Sequence, residues 1–459
     1  MQVFLCVVLA ALGALPTPAP VDDAKARAID AIARGELHAG STPGLSIGIV
    51  EDGLLIYSRG FGYADIAGKR KVTAQTKFFA GGVSEQFTAA SVLLLSQDKK
   101  LSLTDRVTRF IPELGMARDV TLAQLLTHTS GLPNLSDVPG VPRDLSRPLK
   151  LEDTLRALSK TKLVAPPGTQ FNRNSLDYAL AGLVVQRAAG EPLSVFMQTR
   201  IFEPLIMTST FLAGDQGASG SARGYTRENG HFREVRGPDP TWLFGSGDLI
   251  TTVDDLAKWD IGLPLLLNVD SVRSMWSANA AAGGGLFGMG WIVDQRGGQT
   301  FVWRNGTLPG YHAMNALLPE EHVAVIVLSN AGSPNAASTV SPERLAYRIL
   351  DLVAPLPPAH IDNVIVRRAS EWLDRLARLD IDRTQLTPAF SQYLNDRVVI
   401  QADLRSEGPL ESIVPVESFQ RSGDTVYVFD VRFRRGSMRY EFALTPDGKI
   451  DQLLLEPNS

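Results

Sequence analysis

Serine is the residue type in this sequence that could begin covalent catalysis, provided that a base stands beside it. Ser96 and Lys99 have the spacing that places a hydroxyl and an amine on one face of a helix, where the lysine can accept the serine proton. Both residues fall at the polar end of a helical pattern, so we interpret them as part of a solvated surface. Ser84 begins the same pattern, and we interpret it as the N-cap of a helix over residues 84–100 rather than as a nucleophile.

Histidine and cysteine offer little metal chemistry in this sequence. The only cysteine, Cys6, lies in an apolar run near residue 1, and the chain has neither an H-E-x-x-H helix nor a glycine-rich phosphate loop. We interpret His128, within the stretch LLTHTSGL, as a structural histidine that forms hydrogen bonds inside the fold. The sequence therefore predicts no metal site and no cofactor.

The elements that must position these residues predict one long α/β domain. Residues 44–62 predict a β-hairpin that turns at Asp52–Gly53, and strand patterns return between residues 289 and 330. Helical patterns lie between and after the strands, at residues 121–127, 151–160, 175–190, 192–200, 253–261 and 341–353. We therefore expect an antiparallel sheet built from both ends of the domain, flanked by helices, with an inserted helical subdomain.

A second, smaller domain follows the proline-rich segment APLPPAH at residues 354–360. One helical pattern covers residues 365–378, and strand patterns follow at 396–405, 412–421, 424–435 and 437–455. The sequence thus predicts a main domain over residues 21–355 and a small C-terminal α+β domain over residues 356–459.

Composition and the first residues limit the partners and the location. The formal net charge of the 459 residues is −4 and no Lys/Arg cluster stands out, so we expect no nucleic-acid partner. Residues 1–20 are typical of a secretory signal peptide. Their apolar run, Val3 to Leu15, is too short to span a bilayer and has the length of a signal-peptide core. Unlike most signal peptides, this segment has no Lys or Arg before the apolar run. We expect a periplasmic or secreted protein without an integral membrane segment after signal removal.

Four stretches occur in order in the main domain: KLSLTDRVTRFIPEL, LLTHTSGL, GSGDLITTVDDLAKW and LPGYHAMNALLPEEHVAVIVLSN. Together they resemble the serine β-lactamase and penicillin-binding protein family, in its class C β-lactamase, DD-peptidase and esterase branch. The resemblance covers residues 24–353 and implies a β-lactamase/transpeptidase-like fold. It also implies a hydrolase pocket with a serine nucleophile, a lysine three residues later, a Tyr-x-Asn pair and a strand triplet with His or Lys. The C-terminal domain resembles, more weakly, the cystatin-like modules of some such hydrolases.

The resemblance places the first motif of that pocket on FFAGGVSEQFTA, where Phe78 and Phe87 match the family pattern. Gly82 then stands at the position of the nucleophile and Glu85 at the position of the lysine. Glycine has no side chain and cannot form an acyl-enzyme.

The other two motifs also depart from the family pattern. Arg173 and Ser175 of RNS stand for the tyrosine and the asparagine, and Arg304 of RNGT stands for the histidine, while Gly306 is kept. We therefore expect no catalytic residue at these positions, and we interpret the protein as a pseudoenzyme of the family.

The positions of Glu85, Arg173 and Arg304 converge in the family. We therefore predict that Glu85 pairs with Arg173 or Arg304 in a net positive cleft. In one interpretation the pair is a plug that keeps two subdomains docked. In the other, Glu85, Arg173 and Arg304 form a binding site for a small anionic or peptidoglycan-like ligand, because guanidinium groups suit carboxylates.

Two other functions stay open at this point. Glu85 could activate water in a non-standard hydrolase, although arginines beside a carboxylate lower its pKa and make it a poor base. Alternatively, the protein is an interaction module that acts through its C-terminal domain. The sequence carries no indication of the oligomeric state.

Overall fold

The computed structural model describes residues 22–141, 144–215, 217, 219–277, 287–332, 342–355, 361–378, 380–394, 404, 407–421 and 424–458. The expected signal peptide at residues 1–20 lies outside the described residues, as does most of the strand predicted at 396–405. None of the helices in these ranges combines the length and the apolar character that a membrane span requires.

The chain divides into two compact units, one made of Met1–Val293 with Phe301–Ala354 and the other of Asp294–Thr300 with Pro355–Ser459. The strands of the first unit, of which β9 and β10 also include residues of Asp294–Thr300, are β1 (Gly44–Glu51), β2 (Leu54–Asp65), β3 (Arg70–Lys71), β4 (Phe78–Phe79), β5 (Phe211–Leu212), β6 (Tyr225–Glu228), β7 (His231–Glu234), β8 (Leu249–Thr251), β9 (Ile292–Arg296), β10 (Gln299–Leu308), β11 (Tyr311–Leu318) and β12 (Val323–Ser329).

A seven-stranded sheet with the order β3-β2-β1-β12-β11-β10-β9 forms the centre of this unit. Strand β1, from the start of the domain, pairs antiparallel with β12, from its end, so that Ile47 lies opposite Val327. A separate three-stranded sheet has the order β4-β8-β5. The expected sheet built from both ends of the domain is therefore confirmed.

Helices cover both faces of the central sheet. They are α1 (Asp23–His38), α2 (Ser84–Gln97), α3 (Leu122–Leu126), α4 (Leu151–Leu158), α5 (Ser175–Ala189), α6 (Leu193–Met197), α7 (Val253–Leu266), α8 (Val269–Met275) and α9 (Pro342–Val353). Ile29 of α1 and Ile349 of α9 share one core cluster with Val325 of β12. On the opposite face, Leu256 of α7 joins Ile326 in a larger cluster that extends through α2 and α5. The sheet is thus buried between two helical layers.

The beginning of α2 differs from the prediction made for Ser84. This residue is not the N-cap, because a 3-10 turn, Gly81–Val83, leads directly into the helix. The buried Ser84 hydroxyl donates to the Gly81 carbonyl oxygen at 2.7 Å and accepts the Leu249 N–H at 2.9 Å. Ser84 therefore fixes the start of α2 to strand β8 and has no free hydroxyl for nucleophilic attack.

Helix α7 is longer than the predicted helix at 253–261, and helix α8 was not predicted. Helix α7 extends to Leu266 although Pro264, which cannot donate a backbone hydrogen bond, lies inside it. Helix α8 begins after Asn268, whose side chain accepts the Ser271 N–H at 2.8 Å. An asparagine N-cap was the local signal for α8.

The second unit contains a four-stranded sheet in the order β13-β14-β15-β16, with the strands Leu410–Arg421, Asp424–Phe433, Ser437–Leu444 and Ile450–Asn458. Its helices are α10 (Asn363–Arg378) and α11 (Pro388–Tyr393). Trp372 of α10 and Phe442 of β15 are buried in the same cluster. The predicted fold class, a sheet-and-helix domain followed by a small α+β domain, is confirmed.

Candidate functional site

The structure brings the predicted site residues together at the start of α2. Gly82 lies in the 3-10 turn before this helix, and Glu85 lies in the first turn of the helix itself. Arg173 precedes α5, and Arg304 lies in β10. An ideal Cβ built on Gly82 would be 3.3 Å from a terminal nitrogen of each arginine, Nη2 in both cases. Two guanidinium groups from distant parts of the chain therefore converge on the position of the family nucleophile.

Backbone packing closes the space in which a nucleophile side chain would lie. The same ideal Cβ on Gly82 would stand only 2.7 Å from the carbonyl oxygen of Asn305. A Cβ on Gly306 would be 1.8 Å from the carbonyl oxygen of Ala80. Only glycine permits this approach of β10 to the turn before α2, which is a physical reason for glycine at both positions.

Glu85 and Arg304 form a buried ion pair near this contact. Arg304 Nη2 donates to Glu85 Oε2, and the exposed fractions of the two side chains are 0% and 6%. Burial raises the pKa of the Glu85 carboxyl, but Arg304, His128 and Arg173 together lower it to about 2. Of the two arginines predicted as partners of Glu85, the structure pairs it with Arg304.

Arg304 has hydrogen-bonding capacity that the described residues do not use. Its Nε and Nη1 are buried without a hydrogen-bond partner among them. The guanidinium carbon lies 5.2 Å from the ring centroid of Phe287, within the range of a cation–π contact. The ring replaces part of the solvation that the guanidinium group loses on burial.

A second buried carboxylate continues the network, and sequence reasoning missed it. His128 Nδ1 lies 3.0 Å from Asp177 Oδ2, while its Nε2 lies 3.5 Å from Glu85 Oε2. Ser130 Oγ donates to Asp177 Oδ1 at 2.5 Å. The pKa of His128 is raised, because the effect of the two carboxylates exceeds the opposing effect of burial. The imidazole thus bridges two acidic side chains, which confirms the structural role expected for His128.

The signal that could have located Asp177 is its position three residues after Asn174. The Asn174 side chain caps α5 by accepting the Asp177 N–H at 3.0 Å and donates to Asp177 Oδ2 at 3.2 Å. Tyr178 follows, and its hydroxyl donates to the Leu126 carbonyl oxygen at 2.6 Å. The start of α5 is therefore fastened to the LLTHTSGL segment, and this attachment determines where Arg173 lies.

Arg173 differs from the other charged residues of the site because it is exposed. It forms no ion pair or hydrogen bond with any residue that the structure describes. The charge of Arg304, and secondarily desolvation, lower the pKa of Arg173 to about 10, while the charges of Glu85 and Glu343 oppose this effect. Arg173 is thus an exposed cation beside a buried cation.

The other serine patterns do not form a nucleophilic site. Ser175 is the exposed first residue of α5, and Lys99 of the Ser96–Lys99 pattern is exposed beyond the end of α2. The stretch GLSIG at residues 44–48 fits G-x-S-x-G, but it lies inside strand β1, where the Ser46 hydroxyl donates to the Arg59 carbonyl oxygen at 3.3 Å. A nucleophilic serine of that motif requires a strand-to-helix turn instead.

We predict that Glu85→Gln lowers the free energy of unfolding by about 3–5 kcal/mol, because it leaves the Arg304 charge buried and unpaired. Denaturant unfolding measures the loss. The matched control is Glu113→Gln, which breaks the partly exposed Glu113–Arg187 pair and should cost at most about 1 kcal/mol. Equal small losses for both variants would contradict a structural role of the buried pair.

We also predict that Gly82→Ala is destabilising by about 1–3 kcal/mol, since its Cβ meets the Asn305 carbonyl oxygen. Thermal unfolding measures the effect. Gly35→Ala in α1 is the control, because a Cβ there meets nothing within 4 Å and alanine favours the helix, so this variant should be stabilised. A stabilised Gly82→Ala protein would show that β10 does not close the nucleophile position.

Comparison with known proteins agrees with this architecture. Protein flp of Staphylococcus aureus (strain COL) is 28% identical over 321 residues, which cover 66% of this chain and 63% of that protein, so the match spans less than two thirds of the relative. The octameric penicillin-binding protein homologue from Pyrococcus abyssi has a TM-score of 0.64 at 20% identity, covering 94% of this chain and 98% of that chain. D-amino acid amidase from Ochrobactrum anthropi SV3 has a TM-score of 0.62 at 22% identity, with coverages of 72% and 99%. The Beta-lactamase family profile matches residues 29–347, and the chain therefore belongs to the β-lactamase family.

Proposed function

We propose that this protein is a catalytically inactive member of its hydrolase family that binds a small anionic ligand at Arg173. The observation that carries the proposal is the pairing pattern of the three charged residues. Glu85 and Arg304 neutralise each other in the interior, whereas Arg173 is exposed and has no ion-pair partner among the described residues. One exposed guanidinium group therefore lies beside the position that the nucleophile takes in the family.

The geometry around Gly82 supports a loss of acylation. No side chain is present to attack a carbonyl, and the Asn305 carbonyl oxygen occupies the adjacent space. The nearby Ser84 hydroxyl already donates to one backbone group and accepts from another. A covalent intermediate would require a displaced strand as well as a new nucleophile.

A water-activating role for Glu85 receives no support from its surroundings. Its carboxylate is buried and contacts Arg304, and a pKa of about 2 leaves it a weak base at neutral pH. The space expected for a water at the missing serine is the space that Asn305 approaches. Around Gly82, the described residues thus offer the hydrolase alternative no free nucleophile, no strong base and little room for its water.

An anion is the ligand type that the electrostatics favour. Arg304 lies close enough to lower the pKa of Arg173, so a carboxylate bound to Arg173 would relieve the repulsion between the two cations. Arginine can bind a carboxylate through two parallel hydrogen bonds. The terminal carboxylate of a peptidoglycan-like peptide has this chemistry, and the apolar run at residues 3–15 supports export to the compartment where such peptides occur.

Isothermal titration calorimetry with succinate and with D-Ala-D-Ala tests this function. We expect both to bind, and we expect Arg173→Gln to weaken binding about 10- to 100-fold, the effect of losing a charged hydrogen-bonding group. Arg156→Gln, which removes an exposed arginine of α4 paired with Asp153, is the control with the same change in net charge.

The affinity of the control should equal that of the wild type. Absence of binding to the wild-type protein, or equal affinities of the Arg173→Gln and Arg156→Gln variants, would contradict the proposed function.

A further inference from the structure

A cavity of about 130 Å³ lies in the helical subdomain next to the site, between α4, the start of α5 and the segment before β8. Its walls are mainly apolar and include Leu155, Leu180, Trp242 and Phe244. An apolar cavity of roughly 150 Å³ in another protein stays dry and binds benzene. This cavity is therefore of a size suited to a phenyl ring or a branched alkyl group.

The polar groups of the cavity wall are mostly occupied by the protein itself. Thr154 Oγ1 donates to the Lys150 carbonyl oxygen at 3.1 Å, and Thr241 Oγ1 donates to Asp239 Oδ1 at 2.7 Å. Trp242 Nε1 donates to the Arg147 carbonyl oxygen at 2.7 Å, which holds the indole ring in place. The cavity consequently offers a fixed apolar surface and few free hydrogen-bonding groups to a ligand.

Ser175 connects this cavity to the cationic site. It is exposed, lines the cavity and follows Arg173 by two residues. Two residues separate Cα atoms by at most about 7 Å, so the backbones of Ser175 and Arg173 lie within the length of one small molecule. Leu155 and Leu180 are buried deeper in the cavity, at 5% and 0% exposure.

The second cavity wall also leads to the former nucleophile position. Trp242 and Phe244 precede Gly247, and an ideal Cβ on Gly247 would lie 3.9 Å from the Cα of Gly81. The chain segments of both walls therefore continue toward residues of the cationic site.

We infer that the ligand is a small carboxylate that carries one phenyl-sized apolar group, with the carboxylate at Arg173 and the apolar group in the cavity beside Ser175. This inference rests on the proposed function for the binding of the ligand carboxylate. It adds that the rest of the ligand is an apolar group of about the size of a phenyl ring. An aryl-alkyl carboxylate, or a peptide that ends in a large apolar residue, has this chemistry. A short dicarboxylate would use Arg173 alone.

Calorimetry with 3-phenylpropionate, propionate and 3-phenylpropanol separates the two halves. We expect 3-phenylpropionate to bind about 10- to 100-fold more tightly than propionate, the effect of burying a phenyl-sized group. Ala179→Leu, at the cavity wall, should remove this difference and leave propionate binding unchanged, whereas Arg173→Gln should weaken both carboxylates. Ala188→Leu, in the same helix but away from the cavity wall, is the control and should leave the preference unchanged.

A measurement without a variant guards against misfolding of the Ala179→Leu protein. In the wild type, nuclear Overhauser effects should connect the ligand ring protons to the methyl groups of Leu155 and Leu180. Equal binding of both carboxylates, without these contacts, would overturn the inference while the role of Arg173 stands. Binding of 3-phenylpropanol as tight as that of 3-phenylpropionate, unaffected by Arg173→Gln, would overturn both, as would no binding at all.

Discussion

Strand β10 lies against the turn that begins α2, backbone to backbone, and the rest of the site depends on this contact. Gly82 and Gly306 permit it, because a Cβ at either position would collide with a carbonyl oxygen of the other segment. The contact brings Arg304 to Glu85 and places the Asn305 carbonyl oxygen where a nucleophile side chain would stand. Residues 82, 85 and 304 therefore belong to one packing arrangement.

The charges of the site follow from the same contact. A buried ion pair is weak evidence for stability, because the desolvation of both ions offsets their attraction unless the geometry is good. Arg304 retains two nitrogen atoms without partners among the described residues, so the pair does not satisfy all of its hydrogen-bonding groups. Its clearest consequence is electrostatic: it leaves Arg173 as an exposed cation close to a second, buried cation, and it keeps Glu85 ionised. This arrangement is the basis of our proposal that the site binds an anion and no longer carries out acyl transfer.

The sequence was sufficient for the fold and for the identity of the converging positions, because both follow from local patterns and ordered motifs. The pairing of β1 with β12 followed from strands at both ends of the domain. The sequence was not sufficient to predict contacts that depend on tertiary packing. Nothing local distinguishes Arg304 from Arg173 as the partner of Glu85, and no local pattern places a backbone oxygen of Asn305 beside Gly82. The Ser84 N-cap prediction failed because a 3-10 turn took the place of a capped helix start.

The covalent reactivity of the wild-type protein tests the central claim most directly, namely that the site has exchanged acylation for binding. Intact-mass spectrometry of the protein incubated with a fluorescent penicillin and with a nitrophenyl ester measures this reactivity. The account predicts an unchanged protein mass with both reagents and no release of nitrophenol above that of the heat-denatured protein. A stoichiometric acyl adduct on the native protein would contradict the account.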